Sequence, residues 1–207
     1  MSELVFYAHP MSRSRIARWM LEEIGQPYRT EILDFGTSMK GPDYLAINPM
    51  GKVPAIVHDG RVVTECAAIC AYLAAAFPQA GLGPTADERA DYYRWMFFAA
   101  GPVEAAVTTR ALGVDIAEER KRMVGFGDLD DVLNALEGLL ADRPYVTGER
   151  FTAADVYVGS QIRWGLGFGT MPARDVFTAY SERLGDRPAL VRATRIDDAL
   201  LPSQPAG

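Results

Sequence analysis

The chain predicts two architectures in series: an α/β N-terminal domain, a mixed four-stranded sheet with flanking helices, followed by an all-α C-terminal domain. Three observations predict it. Short apolar strand signals are confined to the first third of the chain. They alternate with helical patterns in the order β-α-β, loop, β-β-α, which forces one crossover and one parallel strand pair before an antiparallel hairpin. Beyond the breakers Pro78, Gly81, Gly83 and Pro84 the strand signals stop and only helical spacing remains. The expected division is a first domain over 1–78, a linker over 79–85 and a helical domain over 86–207.

Leu4 to Tyr7 is a short apolar strand. Ser12 to Ile24 has helical spacing, with Ile16, Trp19, Met20 and Ile24 near one face and Gly25 as a stop. Tyr28 to Leu33 alternates as a strand does, and 34–48 is irregular apart from one helical turn around Asp43 to Leu45. Ala55–His58 and Arg61–Thr64 form a hairpin across Asp59-Gly60, and the Ala-rich run from Glu65 to Phe77 is a helix. Together these make a thioredoxin-like arrangement. In the second part, Asp87 to Val107 is a long helix that Gly101-Pro102 must kink or break. Ile116 to Leu140 is expected as another long helix with a charged, solvated start at Glu118 to Arg122. Thr152 caps the next helix, with Asp155 at the third position capping reciprocally in a structural role. Helices over Val176–Leu184 and Ala189–Ala199 follow.

Hydrophobic residues at 49% and charged residues at 23% suit a globular chain that buries a core. The net charge of −6 argues against a nucleic-acid binder or a basic membrane-surface protein. The N-terminus lacks a signal-peptide pattern, and the longest apolar run, Cys66 to Phe77, is too short to span a bilayer, so a soluble cytoplasmic protein is expected. Cys66 and Cys70 are four apart on a helix, which reads as two small buried residues. They match neither a redox pair nor, with only two His in the chain, a zinc site, and no metal is expected.

The segment Asn48-Pro49-Met50-Gly51-Lys52-Val53-Pro54 leads into the hairpin, and Thr64-Glu65-Cys66 opens the following helix. If Val53-Pro54 is cis, the backbone of Val53 faces away from the sheet and an extended peptide can pair with it. The helix start offers free N–H groups to a carboxylate. These are the parts of a site for a short acidic peptide.

The same residues carry a resemblance. N-P-x-G-K-V-P followed by T-E-x-x-A-I-x-x-Y-L, together with Ser12-Arg13-Ser14-Arg15, Phe151-Thr152-Ala153-Ala154-Asp155-Val156 and Arg187-Pro188-Ala189, resembles the cytosolic glutathione S-transferases over almost the whole chain. The resemblance implies an enzyme that binds glutathione as co-substrate, without metal, and joins its thiolate to a small electrophile, most often as a homodimer. It also implies that Ser12 activates the thiol, with Ser14 as the alternative; from local sequence alone both are equally plain helix caps. Val53, Pro54, Glu65 and Cys66 would hold the tripeptide, and Lys52, with Lys40 as the second candidate, would meet its glycyl carboxylate. Cys66 stands where the family usually has Ser, so weaker glutathione binding is expected, by about 1 kcal/mol. A reactive Cys66 is a further option, since a helix start lowers a thiol's pKa.

The electrophile site is expected in a cleft between the domains, lined by Met11, Phe97, Phe98, Val107, Trp164 and Phe168. Tyr7 reads as a core strand residue, and His9 and His58 as incidental. Two other readings keep the scaffold. A glutathione-dependent disulfide reductase, peroxidase or isomerase is disfavoured because Met11 to Arg15 contains no Cys. A non-catalytic binding module is favoured only by the departure at Cys66.

Overall fold

The computed structural model describes residues 3–201. Its sheet runs in the order β2-β1-β3-β4, formed by β1 (Leu4–Ala8), β2 (Arg29–Ile32), β3 (Ala55–His58) and β4 (Arg61–Thr64). β1 is parallel to β2 across the crossover helix α1 (Ser14–Ile24), and antiparallel to β3, which pairs antiparallel with β4. This is the mixed four-stranded sheet read from the sequence. The expected apolar stripe of α1 is buried: Ile16, Trp19, Met20 and Ile24 all lie in the core. α3 (Cys66–Ala76) packs against α1, and the short α2 (Pro42–Leu45) belongs to a cluster in which Met39, Tyr44 and Ala55 are covered by Tyr7, Leu33, Ile47 and Val53.

The described chain falls into two units, 3–81 with 187–201, and 82–186. This departs from the expected domain over 86–207, because the last helix, α9 (Pro188–Asp198), packs along α1. The helix buries Ala189 and Ala193 and aligns a row of ion pairs along that seam. Arg187 forms a two-pronged pair with Glu23, Arg192 pairs with Glu22, Arg15 with Asp198, and Arg18 with Asp197. The last pair is fully buried, at 2.7 Å, with Arg18 also reaching Tyr28 and Thr30 and lying over the ring of Phe6. Burial, opposed by the Arg18 charge, raises the Asp197 carboxyl pKa.

The second unit is helical. α4 (Arg89–Phe98) and α5 (Glu104–Ala111) are joined by one π turn, Ala99–Val103, which contains Pro102. A proline without an N–H cannot complete the regular ladder, so the expected break takes this form. The expected single helix from Ile116 to Leu140 is not formed. Glu118–Met123 is a 3-10 turn, and α6 starts only at Leu129 and runs to Leu140. Gly127 sits at φ 64, which stops any helix coming from the N-terminal side, and Asp128 accepts a hydrogen bond from the N–H of Asp131 to start a new one. α7 (Ala153–Gly167) is almost wholly buried over its first ten residues, and α8 (Asp175–Gly185) packs on it. The Thr152–Asp155 capping box is present, and Asp155 further accepts from the N–H of Val146 and the hydroxyl of Tyr180, both at 2.8 Å. No helix among the described residues is long and apolar enough to cross a membrane.

Candidate active site

Strand register brings the predicted glutathione-side residues to one end of the sheet. Tyr7 lies opposite Ala55, and Ala55 opposite Thr64. The chain therefore leaves β1 toward Ser12, enters β3 from Val53-Pro54 and leaves β4 into Glu65-Cys66 at the same end. A contact closes the group, for the thiol of Cys66 donates to the carbonyl of Arg13 at 3.4 Å.

The two serines differ in what reaches them. Ser14 is the first residue of α1 and is 0% exposed, whereas Ser12 is half-buried in the preceding loop. Neither is the helix N-cap, a position held by Arg13 without a side-chain cap. The Ser12 hydroxyl donates to the carbonyl of His9 at 2.7 Å, lies 2.8 Å from the Ser14 hydroxyl and accepts from the N–H of Ser14 at 3.1 Å. Ser14 accepts from the N–H of His9 at 3.3 Å. The ring of His9 accepts from the N–H of Met11 through Nδ1 and stacks on Phe35. His9 thus frames the serine loop with its backbone and ring. In the sequence His9 has no triad partner, and a loop-framing role leaves no mark in residue type.

Val53-Pro54 is cis. The N–H and C=O of Val53 make no hydrogen bond to another described residue. The approach to this step is held by the carbonyl of Lys52, which accepts from Tyr44 at 2.6 Å and from the side chain of Asn48 at 2.7 Å. Burial drives the Tyr44 phenol pKa up to about 12, which keeps it a donor there. Lys52 is exposed, and Lys40 donates from Nζ to the carbonyl of Met50 at 2.9 Å. Lys40 fits there because Gly51 has no side chain: a Cβ on Gly51 would stand 2.7 Å from the carbonyl oxygen of Met39 and 2.9 Å from Lys40 Nζ, and its φ is 55. Both lysines therefore flank the loop that carries the motif.

Glu65 precedes α3 at φ 66, ψ 121, outside the conformations a glutamate favours, and its side chain does not cap the helix. Its carboxylate is exposed, and the first turn of α3 has no side-chain cap. Strain of this kind costs about 1–3 kcal/mol and collects at binding sites. Cys66 is 8% exposed and already engaged through its thiol, and Cys70 is fully buried, where burial and then the neighbouring Cys66 push its thiol pKa well up. Both match the small buried residues expected of them. Tyr7 is half-buried and packs on Tyr44 with ring centres 5.4 Å apart, at the margin of the core and not within it.

Of the residues expected to meet the electrophile, Met11 is exposed in the first unit. In the helical unit Phe97 and Phe168 are exposed, Phe168 packs edge-on against Trp164, and Phe98 packs edge-on against Trp95. Val107 is half-buried on α5.

The architecture is thus a mixed four-stranded, thioredoxin-like sheet unit followed by a helical unit. Residues 10–76 match the glutathione S-transferase N-terminal domain, and residues 115–164 the glutathione S-transferase C-terminal domain. Glutathione S-transferase GST-4.5 of Xanthomonas campestris pv. campestris is 32% identical over an alignment covering 73% of this chain and 79% of that protein. A solved glutathione transferase from Methylococcus capsulatus aligns over 95% of this chain and 99% of its own with a TM-score of 0.77 and 29% identity. A theta class glutathione S-transferase from Xanthomonas axonopodis pv. citri, solved with glutathione bound, aligns over 94% and 98% with a TM-score of 0.74 and 27% identity. The chain belongs to the glutathione S-transferase family, and glutathione transferase is the enzyme class these likenesses support.

Proposed function

We propose that this chain ionises the thiol of glutathione and transfers the thiolate to an electrophilic carbon of a small, mostly apolar substrate. The thiol proton leaves to solvent, the sulfur forms the new bond to carbon, and the electron pair it displaces departs with the leaving group or onto the substrate. The supporting observation is the half-buried Ser12 hydroxyl at the loop before α1, beside the start of α3 and at the same sheet end as Val53. A free thiol ionises with pKa ~8.5, and a hydroxyl donating to a charged acceptor stabilises it by about 1.5–3 kcal/mol, roughly one to two pKa units. Ser14, fully buried, does not reach a thiol directly. In this reading Val53 pairs with the extended tripeptide, Glu65 takes the ammonium of its γ-glutamyl end, and the N–H of Cys66 with the first turn of α3 takes the carboxylate. Lys40 and Lys52 face the glycyl carboxylate. Phe97, Phe98, Val107, Trp164 and Phe168 of the helical unit are the apolar side chains offered to the electrophile, and Met11 is the exposed apolar side chain of the first unit beside Ser12. The reading carries with it a cytoplasmic homodimer that detoxifies electrophiles; a clean monomer mass in sedimentation at micromolar concentration would remove the dimer.

Calorimetric titration of glutathione in two buffers of different ionisation heat tests the central step. Binding with proton release is the expected result. Binding without it refutes thiol ionisation on the protein, and absence of binding returns the chain to the binding-module reading.

A further inference from the structure

We infer that Ser14 is a positioning residue: its buried hydroxyl, acting through Ser12, turns the Ser12 proton outward to the glutathione sulfur. The inference rests on the reading of Ser12 as the thiol's donor.

Proton counting carries it. The oxygen of Ser12 lies 2.7 Å from the carbonyl oxygen of His9, and a carbonyl has no proton to give. The proton between them therefore belongs to Ser12. The two hydroxyl oxygens lie 2.8 Å apart; with the Ser12 proton committed to the carbonyl, only the other serine's proton can fill that contact, and by this count Ser14 donates to Ser12. Ser14 in turn accepts from the N–H of His9, and Ser12 accepts a second bond from the N–H of Ser14. Both acceptor positions of the Ser12 oxygen are occupied, by Ser14 alone. Its one proton is left with a single alternative to the His9 carbonyl, which is an incoming acceptor. When an anionic sulfur arrives, the Ser12 proton swings from that carbonyl to the sulfur and no other bond in the loop has to change. Two donors drawing on the Ser12 oxygen also make its remaining O–H a stronger donor, because chains of hydrogen bonds polarise one another. Full burial of Ser14 removes water as a competing partner and makes the direction of the chain persistent.

The test is a titration of the ultraviolet absorbance of enzyme-bound glutathione thiolate against pH, with S-methylglutathione, which has no thiol, as the blank. A neutral hydrogen bond is worth roughly two- to tenfold in an equilibrium. Ser14→Ala is expected to raise the pKa of the bound thiol by about 0.4–1 unit. Ser12→Ala should raise it further, toward free glutathione, and the double variant should match Ser12→Ala, because Ser14 acts only through Ser12. The affinity for S-methylglutathione should stay within about twofold in Ser14→Ala, a readout that general disturbance of the loop would move. Ser14→Cys preserves volume with a weaker donor, and should shift the pKa in the same direction if the alanine variant fails to fold. An unchanged pKa in Ser14→Ala and Ser14→Cys beside a raised one in Ser12→Ala overturns this inference and leaves the Ser12 reading standing. An equal shift from Ser14→Ala with and without Ser12 also overturns it. An unchanged pKa in Ser12→Ala overturns both.

Discussion

Replacing Cys66 by serine should strengthen glutathione binding while weakening the fold. The thiol of Cys66 donates to the carbonyl of Arg13 at 3.4 Å, a weak bond from a weak donor. A hydroxyl at the same position has one proton and two claimants, that carbonyl in the free protein and the ligand's γ-glutamyl carboxylate in the complex. A bond to a charged acceptor is worth about 1.5–3 kcal/mol and one to a neutral carbonyl about 0.5–1.5, so ligand binding draws the proton across with a net gain of about 1 kcal/mol. That is about fivefold in Kd. Stability moves the other way. The side chain is 8% exposed and contributes as a small hydrophobe, so the more polar hydroxyl costs roughly 1 kcal/mol in the free protein. Calorimetry for the Kd and urea unfolding for stability measure the two effects. An unchanged or weaker affinity in Cys66→Ser would mean that residue 66 meets the ligand through its backbone N–H alone, and the reasoning about its side chain would fall.

Three other outcomes follow from the same geometry. In Ser12→Ala, kcat/KM near neutral pH should fall about 10- to 100-fold, with the deficit closing as pH rises past the free thiol's pKa of ~8.5, because the lost bond acts only on the ionised fraction; a deficit independent of pH contradicts this. Lys40→Met and Lys52→Met should each weaken glutathione binding by up to about 1 kcal/mol, less at high salt, as exposed ion pairs do; salt-independent affinity in the parent would remove both lysines from the site. Asp155→Ala strands the N–H groups of Val146 and Thr152 and the hydroxyl of Tyr180 in the core, and should cost roughly 3–5 kcal/mol in urea unfolding; a loss under 1 kcal/mol would mean that these groups find other partners.

Local pattern was enough to read the sheet. The β-α-β order, the Asp59-Gly60 turn and the apolar stripe of α1 each have a short-range physical cause, and so has the Thr152–Asp155 box. What local pattern does not carry is which surface an element finds. The helix over 188–198 has ordinary amphipathic spacing; only with α1 beside it do Arg187, Arg192 and Asp197 acquire the partners Glu23, Glu22 and Arg18. The break at Gly125-Phe126-Gly127 was visible in type, yet the charged run before it has enough helix formers to suggest one long helix. In the site, Ser12 and Ser14 are two residues apart with the same side chain, and sequence cannot separate them. Burial distinguishes them, since Ser14 is fully buried and Ser12 half-buried. Lys40 comes from a stretch read as irregular, and its place over Gly51 depends on a loop path no propensity encodes.

The start of α3 departs from an ordinary helix start in the way the proposed site needs. An ordinary helix start places Ser, Thr, Asp or Asn at the cap in an extended conformation, where the side chain satisfies the first N–H groups for about 0.5–2 kcal/mol. Here the cap is Glu65 at φ 66, its carboxylate makes no such bond, and the strain adds about 1–3 kcal/mol. The first turn of α3 is left without a side-chain cap and with a carboxylate beside it, a combination that suits a ligand presenting both an anion and a cation. The other segments follow the same rule. Val53 leaves its backbone groups outside the sheet ladder although β3 begins two residues later, and Ser12 stands outside α1 although Ser14, just inside it, is buried. The backbone of Val53 and the first turn of α3 are left uncapped by their own segments, and both lie with Ser12 at the end of one sheet.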